Sequence, residues 1–206
     1  MNSYLKITGV LLFISMIAIA PGMKSTGYSV GDEARDFSLK NVDGKMVSLS
    51  DYEKASGFIV IFTCNTCPYS KLYEDRIIEL DNSYASKGYP VIAINPNDPV
   101  RQPGDSFDEM KKRASEKDFP FPYIFDETQE IARAYGATRT PHVYILKKEG
   151  GKNIVKYIGA IDNNSSDASL ADVKYVEDAL DQVMSNKKVS TDFTKAIGCT
   201  IKWKQS

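Results

Sequence analysis

The chain has 206 residues, enough for one domain with a sizeable core. Its 26 basic and 27 acidic side chains leave a formal net charge of -1, and no basic stripe with interleaved aromatics occurs, which argues against a nucleic-acid partner. Three cysteines in a chain of this length do not make a disulfide-stapled mini-domain.

Lys6 precedes an apolar run from Ile7 to Ala20, fourteen residues. That length suits the apolar region of a signal peptide and is short for a membrane span. Ala18 and Ala20 supply small residues for a cleavage site, and no cysteine follows the run directly, which argues against a lipoprotein. Residues 1–20 are therefore predicted to be a signal peptide, or a short membrane anchor if uncleaved. Residues 21–30 read as a flexible lead-in.

A single domain is predicted over 31–186. Ser38–Lys40 and Met46–Leu49 flank Asn41-Val42-Asp43-Gly44, and Asp-Gly between strand-like runs signals a hairpin. Phe58–Phe62 is a continuous apolar run and reads as a buried central strand. It leads directly into Cys64-Asn65-Thr66-Cys67. Tyr69, Leu72, Tyr73, Ile77, Leu80 and Tyr84 then repeat at helical intervals, so both thiols fall between a strand end and the first turn of a helix. Helix-start amides favour an anion there, and for cysteine the anion is a thiolate. Pro68 suits an early helical position, where a missing amide hydrogen costs nothing.

Val91–Ile94 is a second buried strand, and the Pro- and Asp-rich stretch to Gly104 is irregular. Ser106 with Glu109 forms a capping box for a helix running to about Lys117. Tyr123–Phe125 is extended, and Thr128–Tyr135 is a short helix stopped by Gly136. Thr138–Leu146 enters a strand through Pro141, and Ile154–Gly159 returns antiparallel to it. Leu170, Val173, Val176, Leu180 and Val183 predict an amphipathic helix. A tail, 187–206, carries Cys199 and Trp203 and is expected to pack on the domain. This order predicts an α/β fold, a mixed sheet with helices on both faces.

At Cys64–Cys67 and Thr140-Pro141 the chain resembles the thioredoxin fold. More closely, it resembles the peroxiredoxin/thioredoxin-like redoxin superfamily of exported bacterial proteins. Gly31–Leu39, Asp43-Gly44-Lys45 and Val47-Ser48-Leu49 are similar to that superfamily's N-terminal hairpin extension. Cys64–Tyr69, Thr140-Pro141-His142 and Gly198-Cys199-Thr200-Ile201-Lys202-Trp203 match one branch of it. Arg35 stands where the family usually has proline, and Thr66 where the branch commonly has histidine, a change expected to make Cys64 less acidic. The resemblance implies that Pro141 is cis, faces the dithiol, keeps metal off the sulfurs and holds the Thr140 backbone for a substrate strand. It also implies periplasmic or other extracytoplasmic placement.

Taken one by one, the residues allow competing roles. Cys64 and Cys67 suit thiol–disulfide exchange; half a zinc site or an inert disulfide are the alternatives, and a zinc site would need further ligands for which only His142 and Cys199 remain as candidates. Cys64 is expected to be the exposed, attacking thiol and Cys67 the deeper, resolving one. Thr66, Pro68, Thr140 and Pro141 are expected to support the site. His142 is either a packed core histidine or a proton shuttle. Cys199 is either a second resolving thiol or a buried thiol under Trp203. Glu74, two turns down the helix, is the nearest acid along the motif helix. Asp98–Asp108 matches no calcium loop and reads as a solvated stretch.

The leading reading is a thiol–disulfide oxidoreductase without cofactor or metal, acting on protein thiols or disulfides with a redox partner protein. It would act as a monomer, loosely membrane-associated through residues 7–20 if that run is uncleaved. The alternatives are an antioxidant thiol peroxidase using Cys64 and a non-enzymatic binding protein of the same fold. Against the peroxidase, the Pro-x-x-x-Thr/Ser-x-x-Cys spacing is absent: Ile61 and Gly57 precede Cys64, and Cys64 and Val60 precede Cys67.

Overall fold

The computed structural model describes Met1 and residues 27–205; the signal-peptide reading of residues 1–20 lies, Met1 apart, outside the described residues. The elements are β1 (Glu33–Ala34), β2 (Leu39–Asn41), β3 (Met46–Val47), β4 (Gly57–Phe62), α1 (Pro68–Tyr84), β5 (Val91–Asn95) and α2 (Phe107–Glu116). They continue with β6 (Tyr123–Phe125), α3 (Glu130–Tyr135), β7 (Arg139–Thr140), β8 (His142–Glu149), β9 (Lys152–Gly159), α4 (Tyr175–Met184) and β10 (Cys199–Thr200). Eight strands form one sheet in the order β1-β9-β8-β4-β5-β6-β2-β3. β4, β5 and β6 run parallel, and the other pairings are antiparallel.

Strand alternation in β4 builds two cores. Ile59 and Ile61 face one side with Tyr73, Ile77 and Leu80 of α1, Met110 of α2 and Val176, Leu180 and Val183 of α4. Phe58, Val60 and Phe62 face the other with Ile131, Ala132 and Tyr135 of α3. All six residues of β4 are buried, because a central strand covered on both faces has no solvated side to accommodate polar residues. Helices thus lie on both faces, as the sequence predicts, and β2–β3 is the expected hairpin.

Three readings need correction. Tyr69 and Leu72, counted in the helical pattern, are 38% and 50% exposed; the stripe facing the sheet is Tyr73–Ile77–Leu80–Tyr84. Leu170 and Val173 precede the last helix rather than opening it. The Val173 N–H donates to the Asn163 side chain and the Val173 carbonyl accepts from the Asn163 N–H, tying that segment into a loop. Tyr28, within the lead-in, docks edge-on against Tyr135 with ring centroids 5.0 Å apart. Among the described residues, no helix is long and apolar enough to cross a membrane.

Candidate active site

β4 ends at Phe62, and the Cys64–Cys67 loop turns from it into α1, with Cys67 as N-cap and Pro68 as the first helical residue. The expected contrast between an exposed Cys64 and a deep Cys67 is not found: both are 3% exposed, since the loop is roofed by segments distant in sequence. All three cysteines are free thiols.

The roof is Thr140 and the residues around it. Its hydroxyl lies 3.3 Å from Cys64 Sγ, and its carbonyl accepts from Cys67 Sγ at 3.1 Å. Thr140 is fully buried, and the Thr140–Pro141 bond is cis. Cys199 stands opposite Thr140 in the antiparallel β7–β10 ladder, and its N–H points to Cys67 Sγ at 3.4 Å. The tail thus reaches the motif across 132 positions of sequence.

Cys67 is the middle sulfur. The Cys64 thiol donates to it, the Cys199 thiol does too, and the backbone N–H groups of Ser70 and Cys199 add to these, pulling Cys67 well below an ordinary thiol against its burial. The same hydrogen bond to Cys67, then burial, then the Asp105 charge push Cys64 up. Burial, and then the bond to Cys67, raise Cys199. As a thiol, Cys67 donates to the Thr140 carbonyl at 3.1 Å, and its sulfur accepts the Cys199 N–H at 3.4 Å. The helix N-terminus behind it favours its thiolate.

Sequence reasoning missed what lies behind the motif. Asp105, read as part of a solvated stretch, is fully buried. Its carboxylate accepts the Asn65 and Thr66 N–H groups at 2.8 and 3.0 Å, the Thr66 hydroxyl at 2.8 Å and the Asn97 amide at 2.6 Å. The Asn65 side chain completes the brace, donating to the Gly104 carbonyl and accepting from the Tyr123 hydroxyl, both at 2.9 Å. One signal was available: β4 and β5 are parallel neighbours, so the loops leaving their carboxyl ends meet on the same rim.

His142 pairs with Phe62 and packs on Tyr144, on the sheet face away from α1. Burial lowers it to about 4, and its Nδ1 accepts the Thr138 N–H at 3.4 Å, the environment of a neutral core histidine. Glu74 is engaged by Arg113 through two hydrogen bonds, one of 2.7 Å. Among the described residues, no group of three His, Cys, Asp or Glu side chains is placed to hold a metal ion.

Residues 30–157 match the model of the AhpC/TSA family. The thiol-disulfide oxidoreductase ResA of Oceanobacillus iheyensis is 30% identical, over 68% of this chain and 72% of that protein. The ResA of Geobacillus thermodenitrificans is 24% identical, over 62% and 68%. Among solved structures, an uncharacterised conserved protein from Geobacillus kaustophilus superposes with a TM-score of 0.80 at 36% identity, covering 91% of this chain and 98% of that one. A putative thiol:disulfide interchange protein DsbE from Chlorobium tepidum gives 0.51 at 25% identity, covering 61% and 82%.

Proposed function

The chain belongs to the AhpC/TSA family, and from that membership and its dithiol we infer a thiol–disulfide oxidoreductase of thioredoxin-like fold acting on protein thiols or disulfides. The observation that carries the reading is the meeting of both motif sulfurs at one buried residue, Thr140. In the reducing direction Cys64 passes its proton to Cys67, and the Cys64 thiolate attacks a substrate disulfide, forming a mixed disulfide and releasing one substrate thiolate. Cys67 then gives that proton to the released thiolate and attacks Cys64 Sγ, which releases the second thiolate and leaves a Cys64–Cys67 disulfide.

The reading includes export from a bacterial cytoplasm, supported by Lys6 and the apolar run Ile7–Ala20. A separate redox protein would restore the dithiol, and the enzyme would act as a monomer, held loosely to the membrane if the run is retained. Oxidoreductase relatives speak against a purely binding role.

Dithiothreitol-driven reduction of a protein disulfide tests the reading: the protein should accelerate it, and Cys64→Ser or Cys67→Ser should abolish the acceleration. Hydroperoxide consumption at the expense of a thiol, with no effect on protein disulfides, would establish the peroxidase reading instead. A reduction potential near about -270 mV would mark a reductant, and one near about -120 mV an oxidant.

A further inference from the structure

β7 and β10 form a two-stranded sheet of their own, apart from the eight-stranded one. Cys199 lies opposite Thr140 and Thr200 opposite Arg139. Thr140 touches both motif sulfurs, so any extended segment paired with it is delivered to the dithiol. Adding a strand to a free backbone edge is a general way of holding a peptide irrespective of its side chains. Here the protein's own tail is that strand, and the residue it brings opposite Thr140 is a cysteine.

The tail is shaped for this seat. A Cβ on Gly198 would collide with the Thr140 carbonyl oxygen and stand 2.6 Å from its carbon and 3.0 Å from the Pro141 nitrogen. All are backbone atoms with no room to yield. Arg139 donates to the Gly198 carbonyl at 3.1 Å. Beyond β10, Ile201 is buried, and the Lys202 N–H reaches Asn97 at 2.8 Å while the Lys204 N–H reaches Gln129 at 2.8 Å. Cys199 itself is only half-buried.

We propose that β10 is a tethered substrate strand: it holds the β7 edge on which a protein substrate would pair, and Cys199 is a third exchange thiol that forms a disulfide with Cys67. The proposal rests on the dithiol reading above. Starting from the Cys64–Cys67 disulfide, Cys199 loses its proton and attacks Cys67 Sγ. The Cys67–Cys199 bond forms as the Cys64–Cys67 bond breaks, and Cys64 leaves as a thiolate that takes up a proton. One disulfide replaces another, with no net oxidation. A protein substrate must displace β10 to pair with β7 beside the dithiol.

Limited oxidation of the reduced full chain with oxidised glutathione, acid quenching, alkylation and non-reducing peptide mapping test this. Wild type should yield both Cys64–Cys67 and Cys67–Cys199 links, and Cys64→Ser the second alone. Gly198→Ala, with every thiol intact, should form Cys67–Cys199 about tenfold more slowly, because the strand that aligns the two sulfurs is lifted, and should reduce a protein disulfide faster. Absence of the Cys67–Cys199 link in wild type, with Cys64–Cys67 forming normally in Cys199→Ser, overturns the proposal and leaves the dithiol reading standing. Equal rates of Cys67–Cys199 formation in Gly198→Ala and wild type would overturn the role of the strand. Failure of Cys64–Cys67 to form in both wild type and Cys199→Ser would sink the dithiol reading itself.

Discussion

Asp105 stands directly behind Thr66: one carboxylate oxygen accepts the Thr66 N–H at 3.0 Å and the other accepts its hydroxyl at 2.8 Å. An amide in its place would turn a donor towards the Asn97 amide, which is also a donor. Asp105→Asn should therefore cost about 1–3 kcal/mol of stability and slow disulfide exchange, because the motif loop loses its brace. Urea titration with a parallel exchange assay checks it; unchanged exchange would show that the loop holds its shape unaided.

Cys67 should be partly thiolate at neutral pH. Its folded-state pKa is depressed, so the reduced protein gains stability from it above the unfolded value of about 8.5 and loses that gain as pH falls through the lower folded value. Cys64 is raised and acts in the opposite sense, but only as pH climbs past the unfolded value. Ultraviolet thiolate absorbance should persist into mildly acidic solution in wild type and Cys199→Ser, and vanish in Cys67→Ser. Persistence in Cys67→Ser would move the anion to Cys64.

His142 should make the fold acid-sensitive. Burial lowers it from 6.5 to about 4, so the unfolded chain binds the extra proton first. Stability is full above about 6.5 and declines towards pH 4, by about 3 kcal/mol in all. His142→Leu should flatten that limb of a stability–pH curve while leaving the exchange profile in place. A shifted exchange profile would make His142 part of the proton path.

How much of this was legible in the sequence depends on how far apart the partners are. Phe58–Phe62 and the motif behind it place the dithiol at a strand–helix junction, because a continuous apolar run and a helical repeat are local signals. The resemblance supplies Thr140 and Pro141. Asp105 looked like a solvated residue because acidic residues among prolines and glycines usually are; only the packing of the loop after β5 against the motif buries it. Leu170 and Val173 fit a helical period by accident, and the hydrogen bonds of Asn163 that stop the helix from starting there leave no pattern in sequence.

Glu74 and Arg113 join α1 to α2 across 39 positions, the carboxylate 6% and the guanidinium 23% exposed. Arg113→Ala leaves a buried carboxylate with only Lys117 nearby, 3.7 Å away, and should cost about 3 kcal/mol. Glu74→Gln should lower stability as well, while the pH dependence of exchange stays that of wild type. A moved pH dependence would make Glu74 a proton acceptor for the thiols.

The N–H that Cys199 offers to Cys67 has a temporal side. A chain leaves the ribosome from its N-terminus, so Cys64 and Cys67 are made, and can fold into their strand–helix junction, long before Cys199 exists. Until the last stretch arrives, Cys67 lacks the Cys199 N–H and the edge of β7 lies open. A chain broken off before residue 198 would carry an intact Cys-x-x-Cys motif with the chemistry of a different, less acidic and less guarded dithiol. The reactivity of the motif thus depends on residues at the far end of the chain.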